Sequence, residues 1–156
     1  MSYKTDKTDL AILHQLQKDA RMPNNELAKK IKMAPSAVLE RVRKLEQRGI
    51  IKNYCARIDP AMLDLKLLAF IFIKSDKRPG EDTVAQELVK IPEVLEVHHI
   101  AGDDCFLVKV RTRDAQSLLE LMRNQFGKIK HITSTKTTIV LDTSKDDNYL
   151  PLPVID

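Results

Sequence analysis

The chain has 156 residues, 43% hydrophobic and 31% charged, which is enough apolar material for a core and excludes a disordered tail. Aromatic residues make up 4% and tryptophan is absent, leaving little for a platform that stacks single-stranded bases. No run approaches the roughly 18 apolar residues that span a bilayer, Met1–Lys7 does not read as a signal peptide, and Cys55 and Cys105 make neither a disulfide framework nor a zinc site. A reduced, cytoplasmic protein of one domain or two small ones, with no membrane contact, is expected.

The net charge of +4 is unevenly spread. Through Pro60 there are 13 Lys/Arg against 7 Asp/Glu, and from Ala61 onward 13 against 15. Basicity confined to one segment suggests a polyanion partner for that segment. Well-solvated lysine-rich helices give the same balance, so the pattern has to decide.

Taken in order, the first half reads as helices. Asp6 caps a helix with Leu10, Leu13 and Leu16 on one side, Ile12 beside them and Asp9 in its first turn; it fades at Lys18–Arg21. A short helix follows over Asn24–Ile31, with Leu27, Ala28 and Ile31 inward. Pro35 then opens a third at the position where its missing N–H costs nothing. In that helix Val38, Val42 and Leu45 share a narrow stripe, and Ser36, Glu40, Arg43, Lys44 and Gln47 lie opposite. Gly49 stops it, and the chain resumes extended from Ile50–Ile51 through Tyr54 and Ala56 to Ile58, with a hinge at Asp59-Pro60.

The second half changes rhythm. Leu65–Ile73 is a continuous apolar run of strand length, Pro79-Gly80 breaks the chain, and Val84, Leu88 and Ile91 repeat at helical spacing up to Pro92. Val94–Ala101 and Phe106–Val110 read as strands joined by the turn Gly102–Cys105. Ala115, Leu118, Leu119, Met122 and Phe126 form a helical stripe ended by Gly127, and Thr133–Leu141 is a last strand. The fold class expected is therefore α+β: an N-terminal winged helix-turn-helix over 1–60, a C-terminal ferredoxin-like βαββαβ domain over 61–142, and an extended tail over 143–156.

The helix-turn-helix carries a chemical expectation. Its second helix enters the DNA major groove with its first residues at the base edges, here Pro35, Ser36, Ala37 and Glu40. Arg41, Arg43 and Lys44 fall among the DNA-binding residues, the last two at phosphates, which fix position without reading sequence. The helix start near Asn24 offers backbone N–H groups to a phosphate, and Lys52 and Arg57 on following strands make a small wing. The bland alternative is a three-helix bundle with basic solvent faces.

A separate inference concerns assembly. In Leu65–Ile73 both alternating sets are apolar: Leu67, Ala69, Ile71 and Ile73 on one side, Leu68, Phe70 and Phe72 on the other. Two helices cover one face of a four-stranded sheet, so the second face needs a cover. A second copy of the sheet is the simplest, and burial against the N-terminal half is the alternative.

The ordered set of short motifs resembles the leucine-responsive regulatory protein (Lrp/AsnC) family. They are Asp9-x-x-Ile12-Leu13, Leu16-Gln17-x-Asp19-x-Arg21, Glu26-Leu27-Ala28, Leu39-Glu40-Arg41-Val42 and Leu45-Glu46-x-x-Gly49-x-Ile51. The second half adds Gly102-Asp103, Leu107, the strand Thr137–Leu141, Lys145 and Leu150-Pro151-Leu152. The resemblance spans nearly the whole chain. It implies a sequence-specific transcriptional regulator that binds double-stranded DNA as a homodimer, assembles further from dimers, and senses an amino acid or related metabolite between subunits at Gly102, Asp103, Asp104 and Cys105, with Thr137 and Thr138 close by.

The sequence departs from that family pattern in three places. Pro23 stands where the family has a hydroxyl residue, and Lys32-Met33-Ala34 replaces a Gly-Leu-Ser turn. Lys32 would then pay for a positive φ, and Ala34 offers no side-chain cap. Cys105 stands where the effector loop has its acid. Either Asp104 substitutes and the loop takes a different amino acid, or the pocket takes none.

Other chemistry is thin. His98-His99 with Asp103, Asp104 and Cys105 contains metal-ligand types, yet neighbours in a strand face opposite ways. Cys105 lacks a base at useful spacing, His14 and His131 read as surface or edge residues, and no phosphate-binding glycine loop is present. No cofactor, metal or catalytic activity is expected. The rival reading is a ferredoxin-like small-molecule-binding protein or enzyme whose basic helices serve assembly.

Overall fold

The computed structural model describes residues 5–76, 83–147 and 149–153. The chain forms two compact units: residues up to Arg57 together with the stretch from Asp146, and Ile58–Lys145.

The first unit is built on α1 (Lys7–Lys18), α2 (Asn24–Ile31) and α3 (Pro35–Gln47). Asp6 and Asp9 form a capping box: the Asp9 N–H donates to Asp6 Oδ1 at 2.8 Å and the Asp6 N–H to Asp9 Oδ2 at 3.3 Å. The core is Ile12, Met22, Leu27, Ala28, Val38, Val42 and Leu45. In α1 the expected stripe is displaced: Ile12 and Asp9 are buried, while Leu10, Leu13 and Leu16 are only half-buried. Asp9 goes inside because α3 supplies its counter-charge, as described below.

Lys32 takes the left-handed conformation that its place at the end of α2 demands, with φ 57° and ψ 49°. Lys32→Gly should stabilise this unit by about 0.5–1 kcal/mol, the left-handed penalty exceeding the added freedom of the unfolded chain. A higher urea midpoint at unchanged slope would show it. After α3, the Ile50 and Ile51 N–H groups both donate to Leu45 O and close the helix end. The expected wing strands do not form. Among the described residues, 52–59 pair with nothing as a strand, so Lys52 and Arg57 lie on exposed irregular chain. A strand needs a ladder partner, and the described residues supply none there.

Part of the expected extended tail lies against α1. Gln17 Nε2 donates to Leu150 O at 3.2 Å, the Leu150 N–H donates to Gln17 Oε1 at 2.7 Å, and the His14 ring lies 3.3 Å from Pro153 O.

The second unit is β1 (Leu67–Ser75), α4 (Thr83–Leu88), β2 (Val94–His99), β3 (Phe106–Thr112), α5 (Ala115–Asn124) and β4 (Ile132–Ile139), in one antiparallel sheet of order β2-β3-β1-β4. A 3₁₀ turn over Ala61–Leu63 precedes it, and the expected break at Pro79-Gly80 lies outside the described residues. Ala69, Ile71 and Ile73 pair with Val110, Val108 and Phe106, and this face packs on Val84, Leu88, Ile91, Leu118, Leu121 and Phe126. Asp114 caps α5, accepting the Ser117 N–H at 2.7 Å. The α5 stripe turns out one step over: Leu121 is buried and Leu119 is 41% exposed, because the sheet covers only the side centred on Leu118 and Leu121.

The opposite face carries Leu68, Phe70 and Phe72 of β1, in register with Arg111, Lys109 and Leu107 of β3 and flanked by Thr138 and Lys136 of β4. The buried cluster with the two helices lies on the other side, and on this face Leu68 is buried within the chain while Phe70 and Phe72 are half-buried.

Candidate nucleic-acid interface and effector cleft

α3 presents what a groove-reading helix needs. Its start has Ala34 with no side-chain cap and Pro35 at the first position, and Pro35, Ser36, Glu40, Arg43 and Lys44 are all exposed, with Ala37 half-buried. Arg43 has no hydrogen-bond or ion-pair partner among the described residues. Lys44 is paired with Glu40 at 2.5 Å along the helix surface, and this hydrogen bond is the main cause holding the Glu40 carboxyl below its usual range. At the start of α2, the N–H groups of Asn24 and Asn25 have no backbone acceptor among the described residues, since Pro23 O takes those of Glu26 and Leu27.

Arg41 departs from its expected place on this face. Its guanidinium turns to α1, with Nη1 2.7 Å from Asp6 Oδ2 and 2.8 Å from Asp9 Oδ1. The Asp9 side chain is 1% exposed, and a buried carboxylate must be paired. Arg41 is therefore a brace between α1 and α3. Asp6 is held below its usual range chiefly by the Asp9 N–H and further by Arg41.

In the second unit, Gly102, Asp104 and Cys105 gather around a shallow cleft of about 570 Å³ with His99, Ile100 and Ala101. Asp103 is exposed and not part of the wall. Gly102 sits at φ 139°, a conformation that side chains disfavour. Cys105 ties the loop to β1: its N–H donates to Ile73 O at 2.8 Å, and its Sγ lies 3.7 Å from Ser75 O. Thr137 and Thr138 do not join this wall. They pair with Ile71 and Phe70, so their side chains leave opposite faces of the sheet. His99, Ile100 and Ala101 were missed from sequence, and their only signal is that they directly precede Gly102.

His98 and His99 separate as strand parity requires. His98 meets Glu96 at 3.1 Å, and His99 stacks on Phe106 with centroids 4.9 Å apart. Among the described residues no group of three or more metal-ligating side chains occurs, and no helix is long and apolar enough to cross a membrane. His131, at φ 74°, pairs with Asp76 at 3.0 Å.

Comparison with known proteins defines the class. Residues 5–52 match a winged helix-turn-helix DNA-binding model, and residues 68–150 match the Lrp/AsnC ligand-binding domain. The protein is thus a two-part regulator, a DNA-binding unit joined to a ligand-binding one. The HTH-type transcriptional regulator FL11 of Pyrococcus horikoshii is 38% identical over 152 residues, spanning 97% of this chain and 99% of that protein. The leucine-responsive regulatory protein of Escherichia coli is 35% identical over 148 residues, spanning 93% and 90%. Among solved structures, a Neisseria meningitidis transcriptional regulator in complex with L-methionine superposes with a TM-score of 0.88 at 28% identity, covering 95% of this chain and 97% of that one. Escherichia coli AsnC gives 0.87 at 29%, covering 94% and 99%. The chain belongs to the Lrp/AsnC family of transcriptional regulators.

Proposed function

We propose that α3 enters the major groove of duplex DNA with Ser36, Ala37 and Glu40 at base edges, while Arg43, Lys44, Lys52 and the N–H groups at Asn24 hold phosphates. The observation that carries this is the exposed polar face of α3, with Arg43 unpaired among the described residues. Lys44 reaches a phosphate by giving up Glu40, which is then free to accept a hydrogen bond from cytosine N4. Arg43→Ala should weaken specific and non-specific binding together and lower the salt slope by about one. Lys44→Ala should cost more at low salt, because it also leaves Glu40 unneutralised beside the groove. Gel-shift titrations at several salt concentrations measure both, and unchanged affinity in both variants would remove α3 from the interface.

The open sheet face supports a homodimer, and a two-fold dimer prefers pseudo-palindromic sites with half-sites spaced by helical turns. The cleft at Gly102 supports an amino-acid effector, with Asp104 facing the ammonium group and turn N–H groups the carboxylate. The Cys105 thiol is turned to Ser75, so it does not replace an acid there. A thermal-shift screen of the twenty amino acids should find a ligand whose stabilisation is lost in Asp104→Ala. Stabilisation that survives the substitution would remove Asp104 from the site.

A further inference from the structure

Asp146, Asp147 and residues 149–153 belong to the DNA-binding unit although they are remote from it in sequence. The Gln17 side-chain amide and the Leu150 backbone exchange two hydrogen bonds, which hold the segment on α1. A tight turn follows, with the Leu152 N–H donating to Leu150 O at 2.8 Å, and Pro153 O meets the His14 ring. At the other end two nitrogens of the Arg57 guanidinium each face a carboxylate: Nη2 is 3.6 Å from Asp146 Oδ2 and Nη1 is 3.3 Å from Asp147 Oδ1. A guanidinium holds a phosphate through the same two-pronged contact.

We propose that this C-terminal segment is an autoinhibitory strap, anchored on α1 at Gln17, in which Asp146 and Asp147 occupy Arg57 in place of DNA phosphate. The proposal rests on the reading of the first unit as a duplex-DNA binder. The charges are scaled for a switch. Through Arg57 the chain holds 13 Lys/Arg against 6 Asp/Glu, and the strap brings two more acids into that unit. The Arg57, Asp146 and Asp147 side chains are 66%, 51% and 39% exposed, so each pair is weak and screened by salt. Such contacts add little to stability, and a phosphate displaces them readily. Arg57 also lies on chain with no strand partner among the described residues, so no ladder holds it back from following a phosphate.

The test uses the full chain and a random-sequence duplex. The double substitution Asp146→Asn and Asp147→Asn should tighten binding roughly three- to tenfold at 50 mM salt and steepen the salt slope by about one. Adding Arg57→Ala should abolish the gain. Asp142→Asn, which removes an exposed acid from the same polar stretch, should give little of it. Gln17→Ala should reproduce part of the gain and speed hydrogen exchange at the Leu150 amide. A gain that persists with Arg57→Ala, or that Asp142→Asn matches, would reduce the effect to bulk charge and overturn the strap. Unchanged affinity in the double variant would do the same. Failure of the wild-type protein to bind duplex DNA at all would overturn the DNA reading and the strap with it.

Discussion

Replacing Arg41 with alanine should unfold the N-terminal unit under conditions where the C-terminal unit stays native. The Asp9 carboxylate is 1% exposed, and Arg41 Nη1 at 2.8 Å is its counter-charge. Removing Arg41 takes a guanidinium at 2.8 Å away from a buried carboxylate, a loss on the order of 3 kcal/mol. That is a large share of what a three-helix unit with seven buried apolar side chains can hold. Arg41→Ala should therefore lose DNA binding at every salt concentration, unlike the graded, salt-dependent loss expected of Arg43→Ala. Adding Asp9→Asn keeps an acceptor for the Asp6 N–H and removes the buried charge, so the pair of substitutions should melt higher than Arg41→Ala alone. An Arg41→Ala protein that melts like wild type but binds DNA weakly would return Arg41 to the interface.

The same cluster sets an acid limit. Asp6 is lowered in the fold by the Asp9 N–H and by Arg41, so its contribution is fully present above its ordinary value of 3.8 and is lost as pH falls through the lower folded value. Its side chain is half exposed, so the loss is gentle and screened. The melting temperature of the wild type should begin to fall below about pH 4, and Asp6→Asn should start lower and flatten that fall.

Local signals carried most of this fold. The Asp6 cap, Pro35 at the start of α3 and the stripe Val38, Val42 and Leu45 are contacts within a few turns, and all three stand in the structure as read. The positive φ of Lys32 was legible because the turn it sits in has a fixed shape. What the sequence hid was long-range. An aspartate in a first turn reads as a solvated dipole partner, and nothing local signals that Arg41, 32 residues later, brings a positive charge to a buried Asp9. Arg41 itself sits beside the core stripe of α3, where a basic residue is easily counted with the DNA-facing ones. Gln17 and Leu150 are 133 residues apart, and neither position carries a local sign of the other. The β-favouring residues at Ile50–Ile58 suggest a wing, but such residues make a strand only where a partner completes the ladder. At the effector loop, the glycine was visible. The separation of Thr137 from Thr138 required the register against β1.

Phe70→Asp should convert the protein to a monomer while leaving the C-terminal fold intact. Phe70 and Phe72 are half-buried on the sheet face away from the two helices, whereas the core lies on the other face around Ala69, Ile71 and Ile73. Phe72 has the Lys136 ammonium 5.9 Å from its ring centroid, which would pair with an introduced carboxylate, so Phe70 is the cleaner site for the test. Its neighbours are Lys109 and Thr138, and Lys109 already holds Glu96 at 3.0 Å. An aspartate placed there remains solvated in a monomer and would be buried by a second sheet. The expected cost on association is on the order of 3 kcal/mol or more, over a hundredfold in Kd. Sedimentation at micromolar concentration should show wild-type dimer and variant monomer, with matching far-ultraviolet dichroism. Binding to a pseudo-palindromic operator should fall further than binding to a single half-site, because only the former gains from two linked units. Phe70→Ala removes area without adding charge and should weaken the dimer by a smaller factor. A wild-type protein that sediments as a monomer, or a folded Phe70→Asp protein that remains a dimer, would place the cover of this face elsewhere.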